Sequence, residues 1–141
     1  MAQVQGLQEL PYVRLDEEYV ESVCWSNDPG DLALETYFNP AAPNLETDYH
    51  IKGLQPVLRE SEGTYRFILK DEKDRLYVWD EDGHMFWVKN KALEKEFTME
   101  DKVDYIICRL GYLQVEPVFQ DYHPADDPNL EDIRAVSRYH I

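Results

Sequence analysis

Residues Tyr65–Lys89 read YRFILKDEKDRLYVWDEDGHMFWVK, and this stretch decides the fold. Apolar and polar residues alternate along it, with β-branched and aromatic types over-used, which is the pattern of half-buried strands. Two polar runs interrupt the alternation as turns, Asp71-Glu72-Lys73-Asp74 and Asp80-Glu81-Asp82-Gly83. The second ends in Gly83, which suits the positive φ that such a loop often needs. The stretch therefore predicts three antiparallel strands, at roughly 64–70, 75–80 and 84–89.

With four-residue turns, Leu69 lies opposite Leu76, Phe67 opposite Val78, Val78 opposite Met85 and Leu76 opposite Trp87. One face then carries Tyr65, Phe67, Leu69, Leu76, Val78, Met85 and Trp87, a core face. The other carries Arg66, Ile68, Lys70, Arg75, Tyr77, Trp79, His84, Phe86 and Val88. A bulge at Gly83 would slip the third strand by one residue and exchange Met85 and Trp87 with Phe86 and Val88. The second face is aromatic but fringed with charge. Either another segment of the chain covers it, as a three-stranded sheet requires, or Tyr77, Trp79 and Phe86 form an exposed patch for a partner.

Composition narrows the function classes. The 141 residues predict one domain with a real core, and 43% apolar content with 13% aromatics excludes wholesale disorder. No apolar run approaches the length of a membrane helix, and the start, MAQVQGLQELP, lacks the basic and apolar segments of a secretory signal. Cys24 and Cys108 sit far apart in apolar surroundings and are expected to be reduced and buried, in a cytoplasmic protein.

The net charge is −15, and it is unevenly spread. Residues 1–60 carry 3 basic and 11 acidic groups, residues 61–97 carry 7 and 9, and residues 98–141 carry 4 and 9. Direct binding to nucleic acid or to an anionic membrane is disfavoured, because the phosphate attraction has the wrong sign. A basic protein partner is favoured, since complementary charge speeds association.

Outside the central stretch, Asp16 to Trp25 predicts a short helix capped by Asp16, with Leu15, Tyr19, Val20 and Val23 on one side. Asn27-Asp28-Pro29-Gly30 stops it as a turn. Residues 32–38 suit helix and strand equally, residues 39–44 read as loop, and residues 45–60, with Gly53 and Pro56, allow at most short edge structure. Thr98 starts the best helix, over 99–110, with Val103, Ile106, Ile107 and Leu110 on its apolar stripe and Gly111 placed to end it. Tyr112–Phe119 looks extended, and Pro117 confines it to a sheet edge. Asp127-Pro128 starts a last helix over 128–139. The expected fold class is thus α+β, a single domain over 1–141.

Chemistry is hard to find. His50, His84, His123 and His140 have no short spacing to one another or to the cysteines, so no zinc signature exists. Asp80-Glu81-Asp82-Gly83 fails as a calcium loop, since Val78 stands where an acid is needed. Neither G-x-S-x-G nor a glycine-rich phosphate loop occurs. No catalytic residue, cofactor or metal is therefore assigned.

Residues 15–31, LDEEYVESVCWSNDPGD, resemble the second-helix signature of the SUKH superfamily, Leu-Pro-x-x-Tyr-x-x-Phe-Leu followed by an Asn-Gly turn. Leu15, Tyr19, Val23 and the Asn27 turn fit. Asp16, Ser22 and Asp28 replace the Pro, the Phe and the Gly. The later order of strands leading to FTMEDKVDYIICRL is similar to the family's Ser-Phe-x-x-Phe-Leu element. The family's first helix is hard to place in residues 1–14, and the tail after Gly111 is long for it. The resemblance implies an α+β fold and, as in many bacterial members, an immunity protein that neutralises a toxin.

The expectation is a non-catalytic binding protein that blocks a basic partner, a toxin or a nucleic-acid-binding enzyme. Its contacts would be Tyr77, Trp79 and Phe86 with Asp80, Glu81 and Asp82. A DNA mimic, with carboxylates in place of phosphates, is the second reading. A small enzyme or ligand-binding domain without a recognisable motif is the third.

Overall fold

A computed structural model describes residues 10–61, 66–90, 93 and 97–120. The chain forms an α+β fold on a six-stranded antiparallel sheet whose strands follow chain order, β1-β2-β3-β4-β5-β6. In sequence the elements are α1 (Glu17–Glu21), β1 (Trp25–Ser26), α2 (Leu34–Tyr37), α3 (Leu45–Tyr49) and β2 (Gln55–Glu60). They continue with β3 (Arg66–Lys70), β4 (Leu76–Asp80), β5 (His84–Val88), α4 (Met99–Ile107), a 3₁₀ turn (Leu110–Tyr112) and β6 (Val115–Val118). The predicted helix over 128–139 lies outside the described residues, as do Tyr65, His123 and His140.

The three central strands stand where alternation placed them, but both turns are one residue shorter than expected. Asp71 N–H donates to the Arg75 carbonyl (3.0 Å), and Asp80 pairs with His84, so each loop holds three residues. The third loop residue takes the left-handed conformation in both, Asp74 at φ 63° and Gly83 at φ 101°. Three-residue hairpins need such a residue to match the twist of the strands. Each loop is also wrapped around the aspartate that opens it. Asp71 Oδ1 accepts from the Lys73 and Arg75 N–H groups (both 2.9 Å), and Asp80 Oδ1 from those of Asp82 (3.0 Å) and His84 (3.2 Å).

The shorter loops correct the pairing. Leu69 faces Tyr77, Phe67 faces Trp79 and Ile68 faces Val78, while Tyr77 faces Trp87 and Val78 faces Phe86. A one-residue slip moves a strand's whole set of side chains to the other face. Leu76 and Val78 therefore leave Phe67 and Leu69 and join Ile68 and Val88. The second pairing is the one that a slip at Gly83 anticipates.

Both faces are covered. On one, Val57, Leu58, Ile68, Leu76, Val78 and Val88 pack under Leu15, Trp25, Leu93 and the α4 residues Val103 and Ile106. On the other, Phe67, Leu69, Tyr77, Trp79 and Met85 pack under Leu45, Tyr49, Ile51 and Leu54. A sheet with two buried faces loses clean alternation, which accounts for the mixed second face of the central stretch.

Several local expectations are corrected. The helix over 16–25 stops at Glu21, where the Ser22 hydroxyl donates to the Tyr19 carbonyl (2.6 Å). The chain then enters β1 and buries Trp25 against the sheet. Asn27 knits this corner together: its Oδ1 accepts from Leu15 N–H (3.0 Å), and its Nδ2 donates to the carbonyls of Val13 (2.8 Å) and Val57 (2.6 Å). Residues 45–60 hold both α3 and an inner strand, β2, despite Pro56. Pro56 is tolerated because β1 reaches only Arg59 and Glu60, the neighbouring backbone on that side uses only the Pro56 carbonyl, which accepts from Val13 N–H (3.0 Å), and the pairing with β3 bulges between Pro56 and Leu58. Helix α4 ends at Ile107 rather than 110, and Gly111 sits in the 3₁₀ turn. Cys24 and Cys108 are free but exposed, not buried. Cys24 points away as Trp25 points in, and the Cys108 thiol lies near Asp104 on the outer side of α4 (3.8 Å). Strand β6, with Pro117, is the edge strand expected there.

Asp71 is fully buried, and its second oxygen accepts from Arg75 Nε (2.6 Å) and the Tyr77 hydroxyl (2.8 Å). Burial alone would raise its pKa. The donated hydrogen bonds from Arg75, Tyr77 and Lys73 outweigh that and hold it below the usual carboxylate range. Replacing Asp71 by Ala orphans these donors and is expected to cost about 3 kcal/mol in urea unfolding. Asp71→Asn is expected to cost less. Because the folded pKa is depressed, the charge contributes fully above the unfolded value of about 4 and is lost as pH falls through the folded one. The stability gap between wild type and Asp71→Asn should therefore be constant at neutral pH and shrink on acidification below that value.

Candidate functional site

The six residues expected to meet a partner are scattered by the fold. Tyr77 and Trp79 are buried, at 5% and 4% exposure, beneath α2, α3 and the segment after them. The Tyr37 ring stands edge-on to both Trp79 (4.8 Å between centroids) and Phe67 (5.9 Å), and Trp79 Nε1 donates to the Tyr49 hydroxyl (3.4 Å). Burial, then the hydrogen bond to Asp71, raises the Tyr77 pKa well above its ordinary value. Phe86 alternates to the opposite face, half-buried between Val78 and Pro117 on the neighbouring strands. The aromatic patch is therefore interior at two of its three positions.

The acids of the second turn serve different ends. Asp80 holds its own loop and pairs with His84 Nδ1 (3.1 Å). Glu81 accepts from Arg59 Nη2 (2.6 Å) and from the Tyr37 hydroxyl. Burial, followed by the bond to Glu81, pushes the Tyr37 pKa up to about 12. Arg59 in turn stacks over the Phe67 ring (5.0 Å) and donates to the Asp31 carbonyl (2.9 Å). The Tyr49 hydroxyl donates to the Gly83 carbonyl (2.9 Å). These contacts pin the turn onto α2 and α3, and of its three acids only Asp82 is exposed.

The larger acidic surface lies elsewhere, where α1 and α4 begin side by side. Asp16 caps α1 by accepting from Tyr19 N–H (3.3 Å), and Thr98 caps α4 by accepting from Asp101 N–H (3.1 Å). The two helices are bridged by Asp16 N–H donating to Glu100 Oε2 (2.8 Å) and by the Tyr19 hydroxyl donating to Asp104 (3.2 Å). Burial, then Asp104, raises the Tyr19 pKa above its ordinary value. Asp16, Glu17, Glu18, Glu21, Asp101 and Asp104 are exposed here, with Glu100 half-exposed among them. Glu17, Glu18, Glu100 and Asp101 each lie in a first helical turn, where the helix dipole favours negative charge.

Sequence reasoning passed over this face, although one signal for it existed. Glu100, Asp101 and Asp104 are spaced to share one side of α4, opposite Val103 and Ile106. Nothing in the sequence alone brings that side beside α1. No helix among the described residues is long and apolar enough to cross a membrane.

Compared with known proteins, the chain matches no family model, no curated protein and no solved structure.

The burial of Trp79 and the exposure of Asp82 separate core from surface. Trp79→Ala is expected to destabilise by about 3–5 kcal/mol, while Asp82→Ala stays within roughly 0.5 kcal/mol of wild type. Guanidinium unfolding of the two variants measures both.

Proposed function

We propose that this chain is a non-catalytic binding protein that docks a basic protein partner through the α1–α4 face. The observation that carries the reading is the gathering of Asp16, Glu17, Glu18, Glu21, Glu100, Asp101 and Asp104 on adjoining helices, bridged at their N-terminal ends. Like charges held side by side repel one another and oppose the compact state. A basic partner would relieve that repulsion and would be steered to the face during encounter. The SUKH resemblance begins in the same segment, at Leu15, and adds the idea of neutralising a toxin. Tyr77 and Trp79 drop out as contacts in this reading. Asp82 remains available at the rim of the second turn, while Asp80 and Glu81 act there as structural supports.

The test is a pull-down from cells of the source organism at low and moderate salt, read by mass spectrometry. The bait is wild type or the triple variant Glu17→Lys, Glu21→Lys, Asp104→Lys. The expected result is one basic protein in near-equal amount, with an association rate about tenfold or more slower for the triple variant. Capture unchanged by the triple variant, or no capture at either salt, overturns the proposal. A captured protein that duplex DNA displaces would make the chain a DNA mimic instead.

A further inference from the structure

A chain with twice as many acids as bases still builds one basic cleft. It opens where β4 begins, β5 ends and β6 begins, beneath α4, and its volume is about 1250 Å³. Lys73 and Arg75 reach it from the first hairpin, Lys89 from the end of β5 and Lys102 from α4, so four of the chain's 14 basic residues share one wall system. Among the described residues Asp74 is the one acid that lines it, and it is already paired with Lys70 (3.0 Å). Arg75 is held by Asp71 through Nε, and Lys89 by Glu116 (3.1 Å). Lys73 and Lys102 have no ion-pair partner among the described residues. Between these cations Leu76, Val88, Leu93 and Val115 line the cleft, and Trp87 borders it at the end of β5.

We infer that this cleft binds a small phosphate-bearing organic molecule. Small-molecule sites join an apolar lining to a few convergent polar groups, and this volume exceeds what a bare anion needs. Lysines act as point charges for phosphate, and a guanidinium held by a carboxylate is already oriented to add a fork of donors. The overall charge of −15 does not forbid an anion here. At physiological ionic strength charges are screened beyond about 8 Å, so the nearest cations set the local potential. This site shares only α4 with the acidic face and is independent of the partner proposed for that face.

ADP is the probe, followed by calorimetry and by tryptophan fluorescence, with the full chain as the sample. Trp25 and Trp79 are buried in the two cores, so a change in emission that disappears in Trp87→Phe reports the cleft. ADP is expected to bind one-to-one, with adenosine at least about tenfold weaker because it lacks the phosphates. Lys73→Glu with Lys102→Glu is expected to weaken ADP by about tenfold or more, while Lys52→Glu, on the exposed turn before Gly53, leaves it unchanged. Equal denaturation midpoints for the variants and wild type confirm intact folding, and Lys73→Gln with Lys102→Gln replaces the reversal if it does not fold. The proposal is overturned by absence of ADP binding at about 1 mM, by equal affinity for adenosine, or by binding that survives loss of both lysines. A cleft filled by the chain's own residues would appear as the first of these outcomes.

Discussion

The structure depends on one buried carboxylate. A charge with no solvent exposure persists only when its lone pairs are filled, and Asp71 fills them from within its own hairpin: Lys73, Arg75 and Tyr77 supply every donor described at its two oxygens. That requirement admits one loop length and hence one register between β3 and β4. The register turns Tyr77 and Trp79 inward and leaves Arg75 half-exposed at the cleft. The covering layer is fixed at the same place. Glu72 N–H donates to the Lys52 carbonyl (3.1 Å), and Gly53, at φ 72°, lies so close that an added Cβ would stand 2.7 Å from Glu72 Cβ. Helices α2 and α3 have four and five residues, too few to hold helical structure on their own. Their position comes from packing on a surface whose facing Asp71 determines.

The two hairpin loops follow one scheme. Asp71-Glu72-Lys73-Asp74-Arg75 and Asp80-Glu81-Asp82-Gly83-His84 each open with an aspartate that binds the N–H groups two and four residues on, and each closes with a basic side chain paired back to it. The difference lies in what surrounds them. Asp71 is sealed under Tyr77, whereas Asp80 keeps partial exposure and leaves the docking of its loop to Glu81, Tyr37 and Arg59. A local motif thus becomes a core anchor in one hairpin and a surface corner in the other.

This explains what could be read from the sequence and what could not. Alternation marks β3, β4 and β5 because side chains on a pleated strand must alternate, and the spacing of Val103 and Ile106 marks α4 for the equivalent helical reason. Loop length carries no such periodic signal. It is set by side-chain hydrogen bonds from Asp71 and Asp80, so the faces of Leu76 and Val78 were invisible. Strand β2 was hidden by Pro56, whose tolerance depends on how far β1 extends. Cys24 and Cys108 looked apolar by their neighbours, yet the alternation at Trp25 and the end of α4 turn both outward. The acidic surface was legible as composition but not as a place, because Asp16 and Glu100 are 84 residues apart and meet only through packing.

Charge is sorted by the same geometry. The sheet's basic residues are largely spent on local acids: Arg59 on Glu81, Arg66 on Glu60 through two bonds, Lys70 on Asp74 and Arg75 on Asp71. Each of these pairs has at least one partner drawn partly or wholly out of solvent, and each takes a cation out of general circulation. Arg14 shares a groove with Glu17 and Glu21, but among the described residues of α1 and α4 the acids outnumber the bases, and the excess negative charge accumulates on that face. Lys73 and Lys102, which have no ion-pair partner among the described residues, come from a loop and a helix that both border the cleft, so positive charge gathers there. Helix α4 divides the two regions, with Glu100, Asp101 and Asp104 toward α1 and Lys102 toward the cleft. With screening acting over about 8 Å, opposite potentials can coexist on the two sides of a single helix.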